Sequence, residues 1–205
     1  MAKDLKEHAR TVAFMAGITA FFIAAVSGVH LVTAQTVARN EKLFMQQAVL
    51  QAAGLAAPRT PADVVARYEE RVTPLPDPQS PEYFTISAPG TDAVTGYVFV
   101  REGAGLWGAI QAVVGIGSDL ATITGASFVK HNETPGLGAR IDEDWFVEQL
   151  KGKKPPVELT PEGTGDNSQS EIDAITGATV TSTAVRNILN RTVDEAARKL
   201  ERVDA

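Results

Sequence analysis

Between Asp173 and Thr183 the chain reads Asp-Ala-Ile-Thr-Gly-Ala-Thr-Val-Thr-Ser-Thr, five hydroxyl side chains around one Gly-Ala step, just ahead of a helical pattern. A hydroxyl on a small-residue turn is accessible, and the backbone there can approach a ligand closely. The N–H groups that open a helix favour a phosphate. The chemistry such a stretch suits is the holding of a phosphate-bearing group beside an accessible hydroxyl. A plainer reading is a helix cap supplied by Thr181, Ser182 or Thr183. That reading uses one hydroxyl and leaves Asp173 and the Gly177-Ala178 step without a purpose.

Two further segments carry candidate chemistry. His131-Asn132-Glu133-Thr134-Pro135-Gly136-Leu137-Gly138-Ala139-Arg140 comes after a strand pattern and contains a Pro-Gly turn signal. It reads either as an ordinary turn with Glu133 and Arg140 solvated, or as a rigid loop. In the second case its backbone N–H groups and the Thr134 hydroxyl cradle a polar ligand. The sequon Asn132-Glu133-Thr134 is an accidental match. Gly103-Ala104-Gly105-Leu106-Trp107-Gly108 has the spacing of a dinucleotide fingerprint, but the next stretch, Ala109 to Gly115, reads as strand rather than helix. A hairpin or bulged loop that presents Trp107 is the expectation. An indole between glycines is also a platform for a planar ring.

Strand signals cluster at Tyr83–Ser87, Gly96–Val100, Ala109–Ile116 and Ile123–His131. Helical patterns occupy residues 40–55, 62–72, 142–150 and 183–202, the last with Val185, Ile188, Leu189, Val193, Ala196 and Leu200 on one face. Pro74 to Pro81 reads as a turn-rich linker, and Glu162 to Ser170 as a polar surface loop. Strands flanked by helices without a βαβ rhythm give an α+β fold. A net charge of −6 argues against nucleic acid as a partner. The absence of cysteine excludes disulfides, thiolate metal sites and thiol nucleophiles. With only three scattered histidines, His8, His30 and His131, no histidine metal site is expected.

No charged residue occurs from Thr11 to Ala38, which is long enough to span a bilayer and too long for a signal-peptide core. Lys3, Lys6 and Arg10 precede the span, so the positive-inside rule puts the N-terminus in the cytoplasm and the remainder outside. The expected organisation is a cytoplasmic N-terminus (1–10), a transmembrane helix (11–34), a helical connector (35–82) and a domain over 83–205.

Asp173-Ala174-Ile175-Thr176-Gly177-Ala178-Thr179 resembles the flavinylation signal Asp-x-x-(Ser/Thr)-Gly-Ala-Thr. Glu133-Thr134-Pro135-Gly136-Leu137-Gly138 is similar to a second hallmark of the same FMN-binding-domain family, and Gly105-Leu106-Trp107-Gly108 to a third block. The three blocks stand in the family's order behind a single span. The family includes the C subunit of the sodium-translocating NADH:quinone oxidoreductase (Nqr) and the G subunit of the Rnf complex. The resemblance implies an FMN-binding domain with a small antiparallel sheet flanked by helices. It implies a covalent FMN, esterified to Thr179 by a separate flavin transferase that reads Asp173 and Thr176, with Gly177 and Ala178 allowing close approach. It further implies a flavin pocket lined by Glu133, Thr134, Leu137, Gly138 and Trp107. The expected role is an electron-carrying subunit of a multisubunit translocase in the cytoplasmic membrane of a bacterium or archaeon, inactive without its partner subunits. The alternatives are a stand-alone anchored FMN-binding reductase and an anchored interaction domain without redox function.

Overall fold

In a computed structural model, which describes residues 2–56, 58, 60–75, 83–165 and 168–200, the first apolar run forms one uninterrupted helix, α1 (Ala2–Ala52). It is long and apolar enough to cross a membrane, with a mean hydropathy of 2.1 over its most apolar 18 residues. Anchor and the first part of the expected connector, up to Ala52, are thus one helix, with no break near residue 34. The chain divides into two compact units, Met1–Lys42 and Leu43–Ala205. The first holds α1 up to Lys42, and the last turns of that helix belong to the second.

The second unit is built on a five-stranded antiparallel meander in the order β1 (Val72–Leu75), β2 (Tyr83–Ser87), β3 (Val94–Ala104), β4 (Ala109–Gly117) and β5 (Ile123–Lys130). Alternating residues divide its two faces. Val98 and Val113 point to one side, while Phe99, Ala112 and Val114 point to the other. On the first side lie the end of α1 and α2 (Pro61–Arg71), with Val49, Leu50 and Val64 buried against Phe84 and Ile86. Thr60 caps α2, accepting the Asp63 N–H at 3.2 Å, and Pro61 opens it. The last turn of α1 sits directly on the sheet. The cross-strand pair Gly115 and Gly125 has no side chain to keep the Ala52 carbonyl away, and Thr124 Oγ1 donates to that carbonyl at 2.7 Å.

The opposite face is covered by α3 (Asp144–Gln149) and α4 (Thr179–Leu200), which bury Phe146, Val185, Ile188 and Leu189 against Phe99, Ile110 and Phe128. Burying a side chain of this kind stabilises the fold by about 1.5–3 kcal/mol. A short parallel pair, β6 (Glu158–Thr160) and β7 (Glu171–Asp173), leads the chain into α4.

Several expectations change. Pro74 and Leu75 are not linker but the edge strand β1, where a proline's missing N–H faces away from the ladder. The sheet therefore begins inside the expected 35–82 connector. Residues 76–81 of the expected linker lie outside the described residues. β6 and β7 fall in segments whose polar composition gives no strand signal. Finally, α4 begins at Thr179, four residues before the expected start at Thr183.

Candidate functional site

The turn between β7 and α4 is shaped by its small residues. Gly177 adopts φ +79°, a conformation that L side chains rarely take, and a Cβ there would sit 3.2 Å from Leu137 Cδ2. The Ala178 N–H donates to the Ile175 carbonyl at 3.0 Å, which closes the turn. Ser182 splints it to the helix. Its Oγ accepts the Ile175 N–H at 2.9 Å and donates to the Ala178 carbonyl at 3.0 Å. Thr181 and Ser182 are fully buried inside the first turn of α4 and do not stand ahead of it as caps. Thr179, the first residue of α4, is exposed. It opens into a cavity of about 240 Å³ together with Ala104, Val180, Thr183, Ala184 and Asn187.

Glu133 lies beside this turn and is only 6% exposed. Both its oxygens are in use. Oε1 accepts the Leu106 and Trp107 N–H groups at 2.9 and 3.1 Å, and Oε2 accepts the Thr181 hydroxyl at 2.5 Å. The carboxylate thus clasps the β3–β4 hairpin tip to α4, and it does not face outward. Two glycines make room for it. A Cβ on Gly105 would stand 2.5 Å from Oε1, and one on Gly138 would stand 2.5 Å from Oε2. The Glu133 N–H donates to His131 Nδ1 at 3.2 Å, and His131 Nε2 meets Asp142 at 2.8 Å. Thr134 Oγ1 accepts the Trp107 indole N–H at 3.1 Å. The indole is 65% exposed, and Leu106, Leu137 and Val180 are also largely exposed. The ordinary-turn reading, with Glu133 solvated, does not describe this loop.

On the other side of the turn, Asp173 is also turned inward. Its carboxylate accepts the Gly163 and Gly165 N–H groups at 2.9 and 2.8 Å and the Thr160 hydroxyl at 3.0 Å. Its backbone is held at both ends by the Gln149 side chain. The loop it braces carries Glu162. Glu162 takes a two-pronged bond from Arg140, at 3.1 and 2.8 Å, and accepts the Thr176 N–H at 2.7 Å. The Arg140 guanidinium, followed by the Thr176 amide and hydroxyl, pushes the Glu162 carboxyl down to about 2.

Thr179, Thr176, Gly177, Ala178, Glu133, Thr134, Leu137, Gly138 and Trp107 therefore gather around the start of α4, with Thr179 alone of them lining the cavity. Asp173 acts from behind through the Glu162 loop. Sequence reasoning missed Glu162 and Gln149, took Ser182 as a possible helix cap, and took Arg140 as a possible solvated residue. No short-range signal announces Glu162 or Gln149, because each meets its partners 14 to 24 residues away in the chain. Chemically, the arrangement offers an accessible hydroxyl on a rigid turn at a helix N-terminus, next to exposed apolar surface and one exposed indole.

These residues fall within a known family. Residues 105–194 match the model of the FMN-binding domain. The chain is 43% identical over 102 residues to the G subunit of the ion-translocating oxidoreductase complex of Methanosarcina acetivorans, covering 49% of this chain and 51% of that protein. It is 34% identical over 95 residues to the C subunit of the Na+-translocating NADH-quinone reductase of Yersinia pestis, covering 43% and 36%. The chain thus spans about half the length of the first relative and about a third of the second. The crystal structure of the C subunit of the Na+-translocating NADH-quinone reductase of Parabacteroides distasonis superposes with a TM-score of 0.63 at 26% identity, covering 76% of this chain and 90% of that one. Residues 105–194 are thus an FMN-binding domain, with homologues among the G subunits of ion-translocating oxidoreductases and the C subunits of Na+-translocating NADH-quinone reductases.

Proposed function

We propose that this chain is a membrane-anchored electron-transfer subunit of an Nqr/Rnf-type ion-translocating complex, and that it carries FMN in phosphodiester linkage to Thr179. The observation that carries the reading is the exposed Thr179 hydroxyl, set at the first residue of a 22-residue helix, two residues after a left-handed glycine, inside an FMN-binding domain. The first turn of a helix supplies N–H groups and partial positive charge suited to a phosphate, worth about 0.3–1 kcal/mol.

The residues present fit an FMN group. The Thr179 cavity is smaller than the roughly 300–1,000 Å³ that encloses a drug-sized ligand. It suits the phosphate end, and it leaves the ring system to lie on exposed surface such as Trp107, Leu106, Leu137 or Val180. A site this open holds a ligand weakly, which is a physical reason for a tether. The bound flavin supplies one-electron and two-electron chemistry. The protein's own part is to hold it and to keep its surroundings fixed, through the Glu133 and Glu162 clasps.

In the attachment step a separate flavin transferase uses FAD. Thr179 Oγ forms a bond to the FMN-side phosphorus, the pyrophosphate bond breaks, AMP leaves, and the hydroxyl proton is released. The basic residues that precede the apolar run, Lys3, Lys6 and Arg10, favour an FMN-binding domain outside the cytoplasmic membrane. Electron donor, acceptor and ion pathway belong to the partner subunits. The span contributes no acidic side chain to an ion path.

The test is the full-length chain, co-produced with a flavin transferase and run on a denaturing gel. Flavin fluorescence should stay with the protein band and vanish in Thr179→Ala. A band without fluorescence, or a Thr179→Ala band that keeps it, contradicts the attachment. Electron transfer should require reconstitution with partner subunits, whereas the stand-alone reductase alternative requires activity of the isolated chain.

A further inference from the structure

The signal residue Asp173 presents no free carboxylate to an incoming enzyme. Thr160, Gly163 and Gly165 use it, and Gly165 has no room for a side chain, since a Cβ there would stand 2.6 Å from Asp173 Oδ1. What those bonds fix is the loop 161–165, and that loop delivers one side chain to the acceptor turn, Glu162. Glu162 lies outside the Asp-x-x-Thr-Gly-Ala-Thr stretch, yet it holds the backbone of Thr176, three residues before the acceptor hydroxyl. Its own position is set from a third direction. Arg140 grips both its oxygens while lying 5.2 Å over the Trp145 ring and reaching Glu143 at 3.3 Å. A planar guanidinium held on two sides offers a fixed fork to a carboxylate.

We infer that Glu162, held by Arg140, is a positioning residue for modification of Thr179, and that Asp173 acts through it by folding the loop that carries it. The inference rests on the attachment reading above and adds a determinant that the signal stretch does not contain. The hydrogen bonds of Glu162 go to Arg140 and Thr176, and none goes to the acceptor oxygen. It fixes the Thr176 end of the turn, as Ser182 fixes the Ile175 and Ala178 end. One oxygen, Oε2, serves both the Thr176 N–H and Arg140 Nη1. Glutamine therefore keeps the acceptor the turn needs and loses only the second arm to Arg140. Aspartate keeps the charge but is one methylene too short to span both partners.

The test measures the gain of FMN mass by the detergent-extracted, unmodified full chain incubated with a flavin transferase and FAD, with melting temperatures taken alongside. Glu162→Ala and Glu162→Asp should slow the gain about tenfold, the scale set by one hydrogen bond to a charged group, while Glu162→Gln keeps most of the rate. Asp173→Ala should be slow as well, and Asp173→Ala/Glu162→Ala no slower than Asp173→Ala alone. A role in electrostatics or general stability gives the opposite order, with Asp fast and Gln slow, and overturns the inference. A folded Glu162→Ala that is modified at the wild-type rate overturns it too. Additive Asp173 and Glu162 effects overturn the claim that Asp173 acts through Glu162. A wild-type chain that gains no mass sinks the attachment reading itself, and does so before any variant is compared.

Discussion

Glu133 and Glu162 flank the same turn, and each accepts three hydrogen bonds, but they do so in different surroundings. Glu133 is buried and its donors are neutral, two amides of the β3–β4 hairpin and the Thr181 hydroxyl. Glu162 is partly exposed and its main partner is a guanidinium. A buried carboxylate that loses its place leaves desolvated groups without partners, so its removal costs stability. A surface ion pair is screened by water and contributes little net stability, so what it adds is geometry. Of the two, Glu133 holds the site together and Glu162 aims one part of it.

This contrast can be broken from either side. The largest stability effect should come from Glu133→Ala, which strands the Thr181 hydroxyl in the interior and frees the hairpin tip. A loss of about 2–4 kcal/mol is expected, or roughly 5–15 °C in the melting temperature. Next comes Gly138→Ala. Its new methyl would meet Glu133 Oε2 at 2.5 Å and Thr181 Oγ1 at 2.7 Å, so overpacking of about 1–3 kcal/mol should appear in a denaturant midpoint. If either change is neutral, the Glu133 clasp is not what joins hairpin and helix.

Glu162→Gln should cost only a small, solvent-screened part of the stability near neutral pH, and its difference from wild type should close on the acid limb. The folded Glu162 carboxyl titrates at about 2 against an ordinary 4.5. Between those values the unfolded chain binds more protons, so the contribution is present above about 4.5 and fades as pH falls toward 2. The variant should lack that part of the pH dependence, and the difference should shrink in high salt. A salt-insensitive loss at pH 7 would make Glu162 a structural residue like Glu133. The smallest effect is expected from Trp107→Phe, which removes only the exposed indole bond to Thr134. Its change should stay within about 0.5 kcal/mol, because Glu133 and not the indole anchors the hairpin tip.

Strong local patterns made most of the fold readable. Tyr83–Ser87 and Ala109–Ile116 alternate or run apolar between turn signals, and they are strands with nearly those bounds. The glycine-bounded Trp107 loop is the expected hairpin. β1 was hidden by Pro74, which reads as a linker unless the strand is known to lie at an edge. The start of α4 was placed too late because Thr179, Val180, Thr181, Ser182 and Thr183 are β-branched or hydroxylated, and such residues favour caps and turns when read locally. Their partners decide otherwise, with Thr181 bound to the distant Glu133 and Ser182 folded back onto Ile175 seven residues before it. At the site, the three blocks drew attention to the right turn. The Arg140–Glu162 pair was beyond reach, since 22 residues separate its members and no periodicity links them.

The central claim is that Thr179, among five neighbouring hydroxyls, carries the flavin. Trypsin releases residues 154–186 as one peptide, which contains all five. Fragmentation of that peptide from the chain co-produced with a flavin transferase should place the mass of one FMN less one water on Thr179. The same mass on Thr176, Thr181, Ser182 or Thr183, or no added mass on the peptide, would contradict the account.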